Sequence, residues 1–262
     1  MTRAFVRVVG GVIGAAIGAG GVWLCHEAFD SGAGAGFAAA GGFLGVTLLA
    51  YILATALRDE TDNPGTASDA FRGGLIGLNA GANAALWGFI GVLPLGIGLA
   101  GLAALSLSNT IAKADAYEAI LGWSNWLLPM SWLIVGLGLA FLVVSLIGWG
   151  VTGGQVEYFK LKDFDVDWTT GTMFLTGGWI ANLNSYDTAF NMGNFAFVDK
   201  DNTMDDTEHE AGHTLNLAVF GSLFHLIGFV DEVILSRGNN AFSEMLANSH
   251  HNNKTPNIPM WV

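Results

Sequence analysis

The sequence has 262 residues, of which 52% are apolar and only 12% are charged, and its mean hydropathy is +0.48. Soluble globular domains carry about 25% charged residues, so this composition excludes an ordinary soluble domain. The net charge of −12 excludes a nucleic-acid partner, which needs a basic surface, and a single cysteine, Cys25, excludes a disulfide framework.

Charge divides the chain into two regions. Residues 1–154 contain five basic and eight acidic side chains, whereas residues 155–262 contain five basic and fourteen acidic ones. The sequence therefore predicts a transmembrane helical domain over 1–154, followed by a small, acidic α+β domain over 155–262.

Apolar stretches in the first region each reach the roughly 20 residues that a helix needs to cross a bilayer. They predict a bundle of four transmembrane helices, over about residues 4–24, 34–57, 73–107 and 124–151. The third stretch is too long for one straight span, so it is expected either to tilt or to break near Pro94-Leu95-Gly96 and continue as an interfacial segment.

Basic residues are concentrated in the loops on one side of the predicted bundle. They are Arg3, Arg7, Arg58, Arg72, Lys160 and Lys162. The opposite loops contain only Lys113. The positive-inside rule then predicts an integral membrane protein with both termini in the cytoplasm, and a bacterial inner membrane is the default compartment.

Two sets of glycines repeat every four residues, which puts each set on one helical face and lets two backbones approach closely. These faces are Gly10/Gly14/Gly18 and Gly73/Gly77/Gly81. They predict either tight packing within this chain's own bundle or a homo- or hetero-oligomeric interface. Asn79 and Asn83, one turn apart, are expected to hydrogen-bond a neighbouring helix; the alternative is that they line a polar path.

Alternation of polar and apolar residues predicts three short strands in the second region, over 155–162, 172–176 and 194–198, arranged as a small meander. The strand ending near Val198 is interpreted as an edge that can pair with an extended peptide. Aspartates at 163, 165, 167, 199 and 201 offer oxygens for calcium but lack the remaining loop ligands, so they indicate a solvated strand edge and turn.

The motif whose side chains could carry out a reaction is His209-Glu210-Ala211-Gly212-His213, which begins a long apolar run. Asp205 or Thr207 can cap the start of a helix here. In a helix, two histidines four residues apart lie on one face and can bind the same tetrahedral ion, with Glu210 beside it. The run over 215–230 is interpreted as a helix in the core of the acidic domain, rather than a fifth membrane segment.

This motif resembles the signature of the zincin metallopeptidases, and the resemblance covers the motif helix and its sequel, about 40 residues. It implies Zn²⁺ as the cofactor, His209 and His213 as ligands, and Glu210 as the catalytic general base. The wording HEAGH is also similar to AAA-linked and site-2 membrane proteases. However, the chain lacks the nucleotide-binding loop of the first and the N-x-x-P-x-x-x-L-D-G segment of the second.

A third metal ligand follows from the same resemblance. The metzincin pattern fails because Val219 stands where its third histidine belongs. The gluzincin pattern has a glutamate ligand and, four residues later, an aspartate on a later helix. Glu244 and Asn248, on a short helix over 240–249, resemble this pattern with asparagine in place of the aspartate, and the resemblance implies a zincin-like fold for the α+β domain over 155–262. Glu244 is thus the first choice of ligand, with Asn248 orienting a ligand histidine, and Glu232 is the second choice. His225 is interpreted as a packed or hydrogen-bonded residue, and His250 and His251 as solvated.

The sequence therefore predicts a membrane-anchored, gluzincin-like zinc metallopeptidase that hydrolyses membrane-proximal polypeptides. Its expected partners are the lipid bilayer and a polypeptide substrate or partner subunit. The alternative is a non-enzymatic accessory or structural subunit of a larger membrane complex, built on a degenerate zincin scaffold. A membrane-perturbing toxin or effector is a third class that no motif favours.

Overall fold

The computed structural model describes residues 2–57, 66–183, 189–199, 207–235, 238 and 241–251. Some sequence predictions lie outside these ranges: Arg58 in the basic loop, Asp201 in the acidic turn and the cap at Asp205. The side chain of His251 is not described either.

The chain is mostly helical. Its α-helices before the sheet, within the described residues, are α1 (Arg3–Ser31), α2 (Ala33–Ala56), α3 (Thr66–Phe89), α4 (Leu93–Ala104), α5 (Asn109–Ala112), α6 (Asp115–Ser124) and α7 (Trp132–Thr152). The later elements are β1 (Leu161–Asp167), β2 (Thr172–Gly177), α8 (Trp179–Leu183), β3 (Ala189–Met192), β4 (Phe195–Val198), α9 (Thr207–Phe229), a π-helical turn (Val230–Ile234) and α10 (Phe242–His251).

Among the described residues, four helical segments are long and apolar enough to cross a membrane. They are Arg3–Ser31, Ala33–Ala56, Pro129–Thr152 and Thr207–Ile234. The predicted third stretch, 73–107, is not one helix but α3 and α4, so the break expected near Pro94 is confirmed; neither helix is among the four segments. The chain turns at Gly91, whose φ is +82°. Pro94 lies in the first turn of α4, where a missing N–H costs nothing.

Segment Thr207–Ile234 contains the predicted metal motif, and more than half of its most apolar part is buried inside the protein. The sequence analysis assigned its apolar run to the core of the acidic domain only. The whole segment Thr207–Ile234 is long and apolar enough to cross a bilayer, so by length and hydropathy it is a candidate membrane span like α1, α2 and α7.

The two glycine faces pack against each other within the chain. A Cβ atom on Gly14 would lie 2.0 Å from the carbonyl oxygen of Gly74, and one on Gly77 would lie 1.9 Å from that of Gly11. Helices α1 and α3 therefore approach at backbone contact, which only glycine permits at these positions. This seam has no space for another subunit, so an oligomer would have to use other surfaces.

Asn79 and Asn83 hydrogen-bond neighbouring segments, as expected. The Asn79 amide donates to the carbonyl oxygens of Ala218 at 3.0 Å and Val219 at 2.9 Å. Asn83 Oδ1 accepts a hydrogen bond from the backbone N–H of Met130 at 3.0 Å. Both side chains are fully buried. They link α3 to the motif helix α9 and to the turn before α7.

The sheet has the strand order β1-β2-β4-β3, so the predicted meander is wrong. Strands β2 and β4 are parallel, whereas β1–β2 and β3–β4 are antiparallel. The strand that ends at Val198 lies inside the sheet, and the edge beside it is β3, a strand that the sequence did not predict. The predicted strand over 155–162 begins only at Leu161, because Glu157–Phe159 forms a 3₁₀ turn.

Aspartates of the other edge strand, β1, accept hydrogen bonds from backbone N–H groups of the same strand. Asp163 Oδ1 accepts a hydrogen bond from the N–H of Phe164 and Asp165 Oδ1 from that of Val166, each at 2.8 Å. Carboxylates on an edge strand discourage pairing with another chain. These contacts explain the alternating aspartates without a metal ion.

One apolar core contains residues from both sides of the predicted boundary at 154/155. Tyr51 of α2 and Leu75 and Ile76 of α3 pack in the same cluster as Leu215 and Phe224 of α9. A second core joins α7 to the sheet and to α9; it includes Ile134, Val135, Leu175, Phe195, Phe197 and Leu217. The motif helix is therefore the shared element that packs on the helical bundle and on the sheet.

Candidate metal centre

Helix α9 begins with the motif, as its acidic first turn and apolar sequel predict. Glu208 and Glu210 lie in this first turn, where negative charge interacts favourably with the helix dipole. His209 and His213 are one turn apart on the same face, and their rings meet edge to face with centroids 4.8 Å apart. Local helical geometry alone thus pairs the two imidazoles.

Helix α10 brings the third side chain of the candidate centre. Glu244 Oε2 lies 3.1 Å from His209 Nε2, and Glu244 Oε1 lies 3.1 Å from His213 Nε2. The two Nε2 atoms are also 3.1 Å apart. Close packing makes this approach possible, because a Cβ on Gly212 would lie 2.9 Å from the Cα of Ala247 in α10. The motif glycine therefore lets α10 lie directly on α9.

The separations between these atoms fit a tetrahedral ion. Zinc binds nitrogen or oxygen at about 2.0–2.1 Å, so the ligand atoms of a tetrahedral site lie about 3.3 Å apart. The potential ligand atoms of His209, His213 and Glu244 all lie within 4.8 Å of one another. Two imidazoles and one carboxylate are also the ligand types of a catalytic zinc site, which keeps the fourth position open.

Asn248 orients the first histidine. Its Oδ1 lies 3.1 Å from His209 Nδ1 and accepts the hydrogen bond from that nitrogen. Asn248 keeps one proton on Nδ1, so if a metal ion displaced the proton that Nε2 donates to Glu244, the lone pair on Nε2 would be available to the ion. Such a partner fixes both the tautomer and the ring orientation that metal binding requires.

Electrostatics keep the Glu244 carboxylate charged. Burial by itself would raise the pKa of Glu244, but the nearby His213 and the hydrogen bond from His209 hold that pKa far below its ordinary value. An ionised carboxylate between two imidazoles is the form that binds a divalent cation. The side chain is 6% exposed, so this charge is largely shielded from solvent.

Glu210 is buried beside the centre rather than exposed at the helix start. Its side chain is close enough to His213 for the two to interact electrostatically. Its backbone carbonyl accepts a hydrogen bond from the Asn191 amide at 2.9 Å. The same amide donates to Thr214 Oγ1 at 3.2 Å, so the edge strand β3 is fastened to the motif turn of α9.

Other predicted residues lie elsewhere. Within the described ranges, the potential metal-binding group consists of His209, His213 and Glu244, and it does not include Glu232, the second choice of ligand. Glu232 lies in the π-helical turn that follows α9. His250 is 1% exposed, so its interpretation as a solvated residue is wrong.

His225 lies closer to the centre than an unbroken helix would allow. Helix α9 is interrupted at Gly221, where φ is +79° and ψ is 175°. Beyond this break the ring of His225 comes to 6.0 Å, between centroids, from that of His213. His225 Nε2 donates a hydrogen bond to the Asn191 carbonyl at 3.1 Å. The interpretation of His225 as a hydrogen-bonded residue agrees with this contact.

Sequence reasoning missed two residues that lie outside the metal-binding group and hold the helices that carry it. Asn191 ties β3 to α9, and Asp231 contacts the start of α10. Asn191 lies in β3, which the sequence did not predict because a four-residue strand carries almost no periodicity signal.

Comparison of the chain with protein-family models, with curated proteins and with solved structures finds no match. The chemistry of the centre therefore has to be inferred from the residues that form it.

Proposed function

We propose that this protein is a membrane-anchored zinc metallopeptidase whose centre is formed by His209, His213 and Glu244, with Glu210 as general base. The convergence of two Nε2 atoms and one carboxylate at separations of 3.1 Å is the observation that carries the proposal. The resemblance of the motif to the gluzincin pattern supports it. Four segments that are long and apolar enough to cross a membrane support the anchoring.

The residues divide the chemistry among themselves. The Nε2 atoms of His209 and His213 and the Glu244 carboxylate would hold a zinc ion, which would supply a Lewis acid at this position. The Glu210 carboxylate would take a proton from the attacking water and return it to the leaving amine nitrogen. Asn248 favours the His209 tautomer in which the proton is on Nδ1 and the lone pair is on Nε2.

The position of α9 supports a membrane-proximal substrate. Its second part packs against α2 and α3, so a polypeptide that reaches the centre lies close to the helical bundle. We therefore propose membrane-proximal polypeptides as substrates. The basic loops support an orientation with both termini in the cytoplasm, and a bacterial inner membrane is the proposed compartment.

Zinc content tests the centre. The full chain purified in detergent should contain about one zinc per molecule, and His213→Ala should lose it, whereas His26→Ala, an exposed histidine on α1, should keep it. Glu244→Gln should weaken zinc binding more than Glu232→Gln does. Zinc that is absent from the wild type, or that His213→Ala retains, would overturn the centre.

Hydrolysis tests the activity. The probes are casein and a single-span membrane protein with a labelled juxtamembrane segment, reconstituted in the same vesicles. Glu210→Gln should keep zinc and lower the cleavage rate at least about 100-fold, because it removes the general base. A zinc-loaded wild type that cleaves neither probe would count against the peptidase and favour the alternative, a zinc-binding accessory subunit.

A further inference from the structure

Glu244 owes its position to the way in which α10 begins. Helix α10 starts at Phe242, two residues before Glu244. The first N–H groups of a helix have no partner inside that helix, so a cap from elsewhere fixes its first turn. Here the N–H of Phe242 donates to Asp231 Oδ2 at 3.3 Å and to the Tyr51 hydroxyl oxygen at 3.2 Å.

The two acceptors are themselves joined. The Tyr51 hydroxyl donates to Asp231 Oδ2 at 2.8 Å, and both side chains are 3% exposed. Tyr51 belongs to α2, Asp231 to the turn after α9, and Phe242 to α10. Three separate segments therefore meet at a single hydrogen-bonded point, and two of them, which contain Tyr51 and Asp231, belong to candidate membrane spans.

Ring packing holds the same point from the other side. Tyr51 meets the ring of Phe242 edge to face with centroids 5.5 Å apart. The Arg72 guanidinium of α3 lies over the Phe242 ring, 5.1 Å from its centroid. A cation over an aromatic face is attractive, and more so when it is shielded from water. Phe242 is thus fixed by α2 and α3 together.

We infer that Tyr51 and Asp231 are positioning residues for the Glu244 ligand, and that through them the helical bundle controls metal affinity at the centre. The inference rests on the proposed function for the role of Glu244. It also separates Asp231 from its neighbour Glu232: Asp231 caps the helix that carries the ligand, whereas Glu232 lies outside the metal-binding group. A looser first turn of α10 leaves the two imidazoles in place but moves the carboxylate.

The test compares Tyr51→Phe with Tyr117→Phe in the full chain in detergent. Both remove one hydroxyl from a buried tyrosine, but the Tyr117 hydroxyl donates to the Leu102 carbonyl of α4 and not to the start of α10. Zinc affinity is measured by competition with a chelator. We expect Tyr51→Phe to weaken zinc binding about tenfold, the scale on which residues behind metal ligands act, and Tyr117→Phe to leave it unchanged. Equal zinc affinity in the two variants overturns the inference.

Hydrogen exchange of the metal-free protein provides a readout that does not depend on zinc. The amides of α10 from Phe242 to Leu246 should exchange faster in Tyr51→Phe than in Tyr117→Phe, and faster in Asp231→Ala than in Glu232→Ala. Faster exchange in a chain that never binds zinc would sink the proposed function but keep the cap that places Glu244. Unchanged exchange in both cap variants would sink the cap, whatever the zinc content.

Discussion

The two parts of α9, before and after Gly221, are continuous in sequence but have different surroundings. Residues before the break contribute the motif and pack against α10 and the sheet. Residues after it pack against α2 and the start of α10. With the π-helical turn that follows, they expose large apolar side chains, which include Leu226, Phe229, Val230, Val233 and Ile234. One apolar run can thus contain both a polar centre and a membrane-type surface, provided that something breaks the helix between them.

The break itself is stabilised by α3. A helix interrupted at Gly221 leaves carbonyls in the preceding turn without their usual N–H donors. The Asn79 amide donates to two of them, Ala218 and Val219, and the Ser131 hydroxyl donates to a third, Leu217, at 3.2 Å. Polar groups on neighbouring elements therefore replace the missing helical hydrogen bonds.

Gly221→Ala should break this arrangement with the largest effect. A residue with a Cβ is strained at φ +79° and ψ 175°, and the added atom would lie 2.5 Å from Asn79 Oδ1. We expect a loss of about 3 kcal/mol in the free energy of unfolding. The control is Gly136→Ala, which meets nothing within 4 Å. Equal thermal midpoints for the two variants in the same detergent would contradict the role given to the break.

Asn79→Leu should have the next largest effect. It leaves the carbonyls of Ala218 and Val219 buried without their donor, which costs about 2 kcal/mol. Asn182→Leu is the control, because its amide also donates to backbone carbonyls but in an exposed environment where water can replace it. The measurement is unfolding by denaturant in mixed micelles. A smaller loss for Asn79→Leu than for the control would refute the capping of the break.

Asn248→Asp tests the part of α9 before the break, because it should change zinc affinity at the metal centre. A carboxylate orients the His209 imidazole more strongly than an amide does, so zinc binding should tighten, and Asn248→Ala should weaken it, each by about tenfold. Ser249→Ala, at the next position of α10, is the control. Chelator competition measures all three, and the same affinity in the Asp and Ala variants would rule out an orienting role for Asn248.

Sequence reasoning succeeded where the determining geometry is local. The spacing of His209 and His213 implies one helical face, and α10 was anticipated from residues 240–249. Strand β2 was also placed correctly, since the prediction covered 172–176 and the strand is Thr172–Gly177. In these cases the periodicity of one segment contains the information.

It failed where the answer depends on two distant segments. The order of the sheet depends on β3 inserting as an edge beside β4, which no local pattern reveals. The break in α9 depends on Asn79, and the cap of α10 depends on Tyr51; both partners lie more than 130 positions away along the chain. Hydropathy averaged over 207–234 likewise cannot show that the two parts of the run face different surroundings.

The pH dependence of stability is the smallest of the expected effects, and it involves the far end of α10. Burial alone would lower the pKa of His250, but the hydrogen bond and charge of Glu118, with those of Glu208, raise it above its ordinary value of 6.5. The folded protein therefore binds this proton more tightly than the unfolded chain does. The resulting stabilisation is fully present below the unfolded pKa and is lost as the pH rises through the folded one.

His250→Asn removes this contribution. The wild-type thermal midpoint should fall more steeply than that of the variant as the pH rises from about 6 to about 9. Glu118→Gln, which removes one of the two carboxylates, should give an intermediate slope. His26→Ala serves as the control, because that exposed histidine should leave the slope unchanged. Parallel slopes for wild type and His250→Asn would mean that His250 is neutral in the folded protein, and that the end of α10 is held by the hydrogen bond to the Glu208 carbonyl without charge.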